Sequence, residues 1–216
     1  MRARLIHGRA VELDVQELRR RLAAPGPGAD ALLGDPGVEG GGALTRASVL
    51  MPIVEREREL MMLFTRRTAH LRSHSGQISF PGGRAEPEDP TPESTALRET
   101  QEEIGLAPDR VRLLGRLGDY STRTGYRITP VVGAVAAPFE LRPDAHEVDE
   151  VFEVPLSFLL DPHNHQRHSR VFEGQTRWFY AIPYRDYYIW GATAGMLVNL
   201  YRHLCYLEAS PRPSVS

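Results

Sequence analysis

Three closely spaced glutamates suggest chemistry more directly than any other feature of this sequence. Glu99, Glu102 and Glu103 lie in the segment RETQEEIGL, residues 98–106. On a helix, which turns about 100° per residue, the three side chains fall within an arc of about 100°. Carboxylates this close repel one another, and a hard divalent cation such as Mg²⁺ or Mn²⁺, which prefers oxygen ligands, would turn the repulsion into coordination. The same spacing also fits a solvated acidic helix face.

A glycine pair and an acidic loop precede the glutamates. Gly82 and Gly83 follow the β-like run 78–80, and the loop 84–89 continues towards the glutamate segment. Because glycine carries no side chain, its backbone carbonyl can approach a metal ion closely. This context favours a metal site over a solvated helix face.

Residues 83–106 resemble the Nudix box, G-x5-E-x7-R-E-U-x-E-E-x-G-U, in which U is an aliphatic residue. The matching positions are Arg98, Glu99, Glu102, Glu103, Gly105 and Leu106. The resemblance implies that Glu99, Glu102 and Glu103 are ligands of Mg²⁺ or Mn²⁺, with assistance from the Gly82 carbonyl. It also implies that Arg98 orients a box glutamate through a bidentate salt bridge.

The box departs from the general pattern at two places. The spacing from Gly83 to Arg98 is one residue longer, so the acid of the loop is either Glu88 or Asp89. Thr100 also replaces the usual aliphatic residue. The metal-binding end of the box is nevertheless intact.

The sequences on both sides of the box resemble the coenzyme A pyrophosphatase branch of the Nudix hydrolases. The upstream motif LRSHSGQISFPGG, residues 71–83, is similar to the L-x-x-H-x-G-Q-[IV]-[SA]-F-P-G-G pattern of that branch, and the downstream motif IWGATA, residues 189–194, to its I-W-G-x-T-A pattern. Residues 147–156, EVDEVFEVPL, are similar to a third run of the branch, and the longer box is common there. The resemblance implies hydrolysis of coenzyme A or a derivative to 3′,5′-ADP and 4′-phosphopantetheine or its acyl form.

Coenzyme A carries a pyrophosphate and a 3′-phosphate, so its binding requires cations and directional donors near the metal site. Guanidinium groups suit bidentate phosphate binding. The substrate-binding candidates are Arg66, Arg67, Arg72, His74 and Gln77. Alternatively, the first two arginines simply flank a strand, and the histidine and glutamine hold the turn before the glycine pair.

The general base has more than one candidate. In the Nudix family it is a box glutamate or an acid on a distant loop, so Glu99 is the first candidate and Glu147 or Glu150 the alternative. The box alone does not distinguish coenzyme A from another nucleoside diphosphate derivative, such as ADP-ribose or NADH. A binding module that has lost catalysis is a third hypothesis, which the three intact glutamates disfavour.

The predicted elements place these residues in an α/β fold. Thr91 as N-cap, Pro92 at the first position and Gly105 at the end predict a helix over residues 92–104, and an apolar stripe predicts a second helix over 192–207. Trp190 is expected in the core or as an anchor at the start of this second helix. Strands are predicted over residues 47–54, 60–65, 111–118, 128–136 and 177–183. The expected fold is a Nudix-type α/β/α sandwich with a mixed β-sheet.

Three parts are expected along the chain. Residues 1–44 are predicted to form an N-terminal arm and a Gly/Pro-rich linker, with an amphipathic helix over 11–24. Residues 45–209 are predicted to form the hydrolase domain and residues 210–216 a flexible tail. The arm could serve as a dimer element, a lid or a disordered leader, so a homodimer is among the expectations.

The composition excludes several other classes of protein. Of the 216 residues, 41% are hydrophobic and 25% charged, as in folded globular proteins. All 26 basic residues are arginine, which excludes lysine Schiff-base chemistry and a P-loop lysine. The net charge of −2 gives no global basic field for nucleic acid, and Cys205 is a single cysteine. Because no signal peptide and no bilayer-spanning run are recognisable, we expect a cytoplasmic enzyme with a small-molecule substrate and no membrane partner.

Overall fold

The structure is a computed structural model that describes residues 3–5, 11–26, 34–35, 44–69, 76–172 and 174–209. These residues form strands and α-helices in the following chain order: β1 (Ala3–Leu5), β2 (Val11–Leu13), α1 (Val15–Ala23), β3 (Thr45–Glu55), β4 (Leu60–Arg67), β5 (Ile78–Ser79), β6 (Gly82–Arg84), α2 (Pro92–Ile104), β7 (Val111–Arg116), β8 (Tyr120–Ser121), β9 (Tyr126–Ala136), β10 (Val148–Pro155), α3 (Leu156–Leu159), β11 (Gln166–Phe172), β12 (Gln175–Tyr184), β13 (Tyr187–Trp190) and α4 (Gly191–Ala209).

An eight-stranded mixed sheet forms the centre of the described structure. Its main path runs β10-β4-β3-β9-β7, and the short strands β5, β6 and β8 pair with β4, β3 and β9. The β3–β9 pair is parallel along its whole length, whereas the other pairs are antiparallel. The predicted strands all lie within observed strands except that β7 ends at Arg116 instead of residue 118.

Helices cover both faces of this sheet. On one face, Ala96 and Ile104 of α2 pack with Leu50 of β3 and Val131 of β9. On the other face, α1 and α4 share a larger core with alternating residues of the same strands, such as Met51 and Val132. Side chains on a strand point alternately to opposite faces, so each strand serves both cores. The predicted α/β/α sandwich with a mixed sheet is confirmed.

Local sequence signals explain the ends of α2. The Thr91 hydroxyl accepts a hydrogen bond from the Ser94 N–H at 3.2 Å, and the Ser94 hydroxyl accepts one from the Thr91 N–H at 3.0 Å. Pro92 occupies the first turn, where no N–H donor is needed. Gly105 ends the helix with a left-handed φ of 70°. The predicted helix 92–104 and its caps are confirmed.

Helix α1 is shorter than predicted but contributes to the larger core. Residues 11–13 form β2, and the helix begins only at Val15 because Asp14 caps it by accepting a hydrogen bond from the Glu17 N–H at 2.7 Å. Leu18 is fully buried. The guanidinium of Arg21, which is paired with Glu17, donates a hydrogen bond to the Leu204 carbonyl of α4 at 2.7 Å. The division of the chain at residue 44 stays a prediction.

The strands β11, β12 and β13 form a separate antiparallel sheet beside the sandwich. Ile182 and Ile189 anchor it in the larger core. Trp190 is 38% exposed and directly precedes α4, so of its two expected positions it lies at the start of that helix and not in the core. None of the helices in the described part of the chain is both long and apolar enough to cross a membrane.

Truncating Leu18 should show how strongly α1 contributes to the fold. We expect Leu18→Ala to lower the free energy of unfolding by about 2–5 kcal/mol, because it leaves a cavity in the larger core. Denaturant titration measures the change, with Arg19→Ala as the control because Arg19 is the exposed neighbour. Equal stability of the two variants would show that α1 does not depend on this core.

Candidate active site

Glu103 is the buried carboxylate of the glutamate cluster. It lies on the last turn of α2, with a side chain only 5% exposed. Its Oε2 accepts a hydrogen bond from the Gly82 N–H at 3.1 Å, and its Oε1 lies 3.5 Å from Nη1 of Arg67. The carboxylate therefore joins α2 to the start of β6 and the end of β4.

The electrostatic environment opposes ionisation of this cluster. Burial raises the pKa of Glu103 to about 7, the negative charges of Glu147 and Glu99 add to the rise, and the Gly82 N–H and Arg67 act against it. Burial also raises the pKa of Glu99, to which the charges of Glu102 and Glu147 contribute. Because the pKa of Glu103 exceeds its ordinary value of 4.5, its ionisation lowers the free energy of unfolding as pH rises from about 4.5 to about 7. A bound cation would reverse this penalty.

Arg98 organises the exposed side of the cluster. Its guanidinium donates to both carboxylate oxygens of Asp89, from Nε to Oδ1 at 3.2 Å and from Nη2 to Oδ2 at 3.0 Å. It also donates to Glu99 Oε1 at 3.0 Å and to Glu102 Oε2 at 2.9 Å. Arg98 thereby holds two of the predicted metal ligands and ties α2 to the preceding loop.

The contacts of Arg98 distinguish between the two candidate acids of the loop before α2. The sequence left Glu88 and Asp89 as alternatives, and Asp89 is the one that contacts Arg98. The Arg98 guanidinium lowers the pKa of Asp89 to about 2. Asp89 also accepts hydrogen bonds from the Thr95 hydroxyl and the Glu86 N–H, whereas Glu88 is exposed.

Both positions of the glycine pair require glycine, because other atoms of the chain approach each of them closely. Gly82 has a φ of 150°, and a Cβ atom at this position would collide with the backbone of Ser48 and Val49. A Cβ at Gly83 would instead overlap the carboxylate of Glu99. Gly82 therefore allows β6 to pair with β3, and Gly83 provides the space in which the Glu99 carboxylate lies.

The loop acids suggested as alternative bases have different surroundings. Glu147 is exposed and close enough to Glu99 and Glu103 to raise the pKa of both. Glu150 accepts a hydrogen bond from the Tyr187 hydroxyl at 2.6 Å and pairs with Arg66 at 2.9 Å. Of these two, Glu147 is the acid whose charge contributes to the raised pKa of both Glu99 and Glu103.

The predicted substrate-binding residues are separated in the structure. Gln77 lines a cavity beside Gly82, together with Arg67. Arg66 pairs with Asp149 and Glu150 and does not line that cavity. Arg72 and His74 lie outside the described residues.

This cavity, called the substrate cavity below, has a volume of about 400 Å³. The described part of the upstream motif lines it from Gln77 to Phe80 and at Gly82, and the downstream motif lines it from Trp190 to Thr193. The two motifs are joined directly, since the buried Thr193 hydroxyl donates to the Ile78 carbonyl at 3.1 Å. Segments more than a hundred residues apart in the sequence thus form one cavity beside the glutamate cluster.

Sequence reasoning missed several side chains of the substrate cavity. Trp178 and Phe179 of β12 line it, and Phe179 contacts Trp190 edge-to-face with ring centroids 5.6 Å apart. Arg123 and Arg177 add two further cations to the lining. An aromatic pair directly after an arginine in β12 was visible in the sequence, but its position beside the box depends on the pairing of β12 with β13.

The donors of the glutamate cluster fit a hard divalent cation. Within the described residues no three His, Cys, Asp or Glu side chains are arranged as a ready-made metal cage. The cluster nevertheless combines the buried Glu103, whose pKa is raised, with the carboxylates of Glu99 and Glu102 on the same helix, all of them oxygen donors. Glu99, Glu102 and Glu103, with the Gly82 carbonyl, would hold Mg²⁺ or Mn²⁺.

Comparisons with known proteins show the family to which the chain belongs. The family model of the NUDIX domain matches residues 44–179. Proteins described as uncharacterised Nudix hydrolase NudL, from Yersinia pestis and Yersinia pseudotuberculosis, are 40% identical over 155 residues, which are 72% of this chain and 77% of theirs. Among solved structures, a Nudix hydrolase from M. smegmatis, RenU, gives a TM-score of 0.45 at 22% identity, over 52% of this chain and 71% of that chain.

Alanine at each of the two glycines should separate their roles. Gly82→Ala is expected to lower the free energy of unfolding by about 1–3 kcal/mol, because the added methyl group meets backbone atoms. Gly83→Ala should leave stability nearly unchanged and lower kcat for diphosphate hydrolysis by about 10²-fold, because the Glu99 carboxylate is displaced. Thermal unfolding and turnover measured on both variants test this, and full activity of Gly83→Ala would contradict the assigned position of Glu99.

Proposed function

We propose that this chain, which belongs to the Nudix family of pyrophosphohydrolases, hydrolyses the pyrophosphate bond of coenzyme A or a coenzyme A derivative. The reaction depends on Mg²⁺ or Mn²⁺. Its products are 3′,5′-ADP and 4′-phosphopantetheine, or the acylated form of the latter.

One observation supports the choice of coenzyme A as the substrate. The two motifs that resemble the coenzyme A branch, one before the box and one at the start of α4, both line the substrate cavity beside Gly82. If the two motifs only maintained the fold, they would not both need to line the same cavity. The shared cavity therefore favours a role of both motifs in substrate recognition.

The chemistry of the substrate cavity suits a ligand with several phosphates and an apolar part. Arg67, Arg123 and Arg177 offer guanidinium groups for a pyrophosphate and a further phosphate. Trp178 and Trp190, which are 46% and 38% exposed, offer ring surface to an adenine or to the pantetheine arm. Coenzyme A has all of these groups.

Hydrolysis requires one bond to form and one to break. Water attacks one phosphorus, a new P–O bond forms, and the bridging P–O bond breaks with its electron pair leaving on the other phosphate. When bound, a divalent cation supplies charge neutralisation at the diphosphate and increases the acidity of water.

Side chains of this chain accept the proton, position the carboxylates and bind the phosphate groups. Glu99, or Glu147 from the loop before β10, accepts the proton of the attacking water. Arg98 is a positioning residue, because it holds Glu99 and Glu102 through direct hydrogen bonds. Arg67 lines the substrate cavity next to Glu103 and binds a phosphate oxygen of the substrate.

Removal of the buried charge tests the ligand assignment. Glu103→Gln keeps the shape of the side chain but removes one negative charge, and we expect kcat to fall by about 10²-fold or more, equivalent to about 2.7 kcal/mol of transition-state stabilisation. Glu88→Gln is the matched control, since it makes the same change on an exposed loop residue that contacts neither Arg98 nor the cluster. Near-normal turnover of Glu103→Gln would refute its role as a metal ligand.

A substrate panel tests the choice of coenzyme A. With Mg²⁺ or Mn²⁺ present, we expect kcat/KM for coenzyme A to exceed that for ADP-ribose and NADH by at least about tenfold, or about 1.4 kcal/mol. The measurement is product chromatography with 3′-dephospho-coenzyme A included, which shows how much the 3′-phosphate contributes. Turnover of ADP-ribose comparable to or better than that of coenzyme A would contradict the proposal.

A further inference from the structure

We propose that the protein has a second binding site, for a small phosphate-bearing anion, on the face of the central sheet that is opposite the substrate cavity. The site is a cavity of about 440 Å³, called the arginine cavity below. Three arginines from three adjacent strands line it: Arg46 of β3, Arg127 of β9 and Arg116 of β7. The proposal is independent of the identity of the substrate.

The strand register separates the arginine cavity from the substrate cavity. Arg46 lies directly opposite Arg127 in the parallel β3–β9 pair, so both side chains point to the same face of the sheet. The residues next to Arg127, Tyr126 and Ile128, line the substrate cavity on the other face. The two cavities have no lining residue in common.

The pairing of Arg46 with Arg127 is unfavourable without a counterion. Like charges directly opposite each other on neighbouring strands destabilise a sheet. Among the residues that the structure describes, neither guanidinium forms an ion pair or a side-chain hydrogen bond. Two neighbouring guanidinium groups on one face of the sheet supply donors for the oxygens of one phosphate, to which arginine binds in a bidentate manner.

The other groups of the arginine cavity modify this charge without cancelling it. Arg116 lies 3.7 Å from Glu93, a long ion pair between partly exposed groups. Asp119 accepts a hydrogen bond from the Thr129 hydroxyl at 2.7 Å. With Arg116 paired to Glu93, Asp119 is the one carboxylate of the lining against Arg46 and Arg127, which leaves one positive charge in excess.

The first turn of α2 also lines the arginine cavity, through Pro92 and Thr95. The N-terminal end of a helix carries a partial positive charge, which adds to the attraction for an anion. A cavity of about 440 Å³ is large enough for a nucleotide as well as for inorganic phosphate or pyrophosphate. The shared chemistry is a phosphate group, and the experiment distinguishes the two sources.

Calorimetry without a metal ion removes the metal-dependent part of anion binding, and the loss of binding in the double variant then identifies the part that belongs to the arginine cavity. Inorganic pyrophosphate and AMP are titrated separately, in excess EDTA and at low salt, into the full chain and into the double variant Arg46→Gln/Arg127→Gln. We expect the double variant to bind about 10²-fold more weakly, at about tenfold for each arginine that loses a charge-assisted hydrogen bond. Tighter binding of AMP assigns the site to nucleotides, and tighter binding of pyrophosphate assigns it to inorganic anions.

The control is the double variant Arg58→Gln/Arg110→Gln, which removes the same charge from two exposed arginines that line neither cavity. It should bind both probes like the unmodified chain. Absence of binding to the unmodified chain, or equal weakening in both double variants, would overturn the proposal.

Hydrogen exchange of the unmodified chain provides a test that needs no variant. Saturating pyrophosphate in EDTA should slow amide exchange at residues 46–48 and 116–119, which line the arginine cavity and not the substrate cavity. Slowing confined to residues 77–82 would place the anion in the substrate cavity and contradict the proposal.

Discussion

The burial of Glu103 is the constraint on which the site depends. Its carboxylate is almost completely covered and accepts one backbone hydrogen bond from Gly82, and this burial, with a smaller contribution from the charges of Glu147 and Glu99, raises its pKa to about 7. A buried charge with like-charged neighbours weakens a fold unless a cation compensates it. A divalent cation bound by this cluster would offset the cost of the buried charge, so the proposed metal site links the stability of the fold to the proposed reaction through Glu103.

The other elements of the fold bring the backbone of Gly82 and the carboxylates of α2 together beside Glu103. Gly82 pairs β6 with β3 at the edge of the central sheet, while α2 packs on one face of that sheet through Ala96 and Ile104. Arg98 then fixes the exposed carboxylates against Asp89. On the opposite face, the larger core positions the start of α4, and with it the downstream motif, beside the same glycine. The central sheet is thus the element that connects the proposed metal site with the proposed substrate cavity.

The features that the sequence predicted well are those that depend on neighbouring residues. The caps of α2, the glutamate arc and the strand positions follow from local spacing, and all are found in the structure. Features that depend on distant pairing were missed or left open. The choice of Asp89 over Glu88 depends on the path of a loop, the ion pairs of Arg66 depend on the β4–β10 register, and the exposure of Trp190 depends on how the small sheet lies beside the sandwich.

Equilibrium binding of Mn²⁺ shows whether the glutamate cluster is a site for a divalent cation. Free Mn²⁺ can be followed by electron paramagnetic resonance during titration of the unmodified chain and of Glu99→Gln, with no substrate present. The account predicts saturable binding to the unmodified chain and affinity that is at least about tenfold weaker, or about 1.4 kcal/mol, in the variant. Equal Mn²⁺ affinity of the two proteins, or no binding to either, would contradict it.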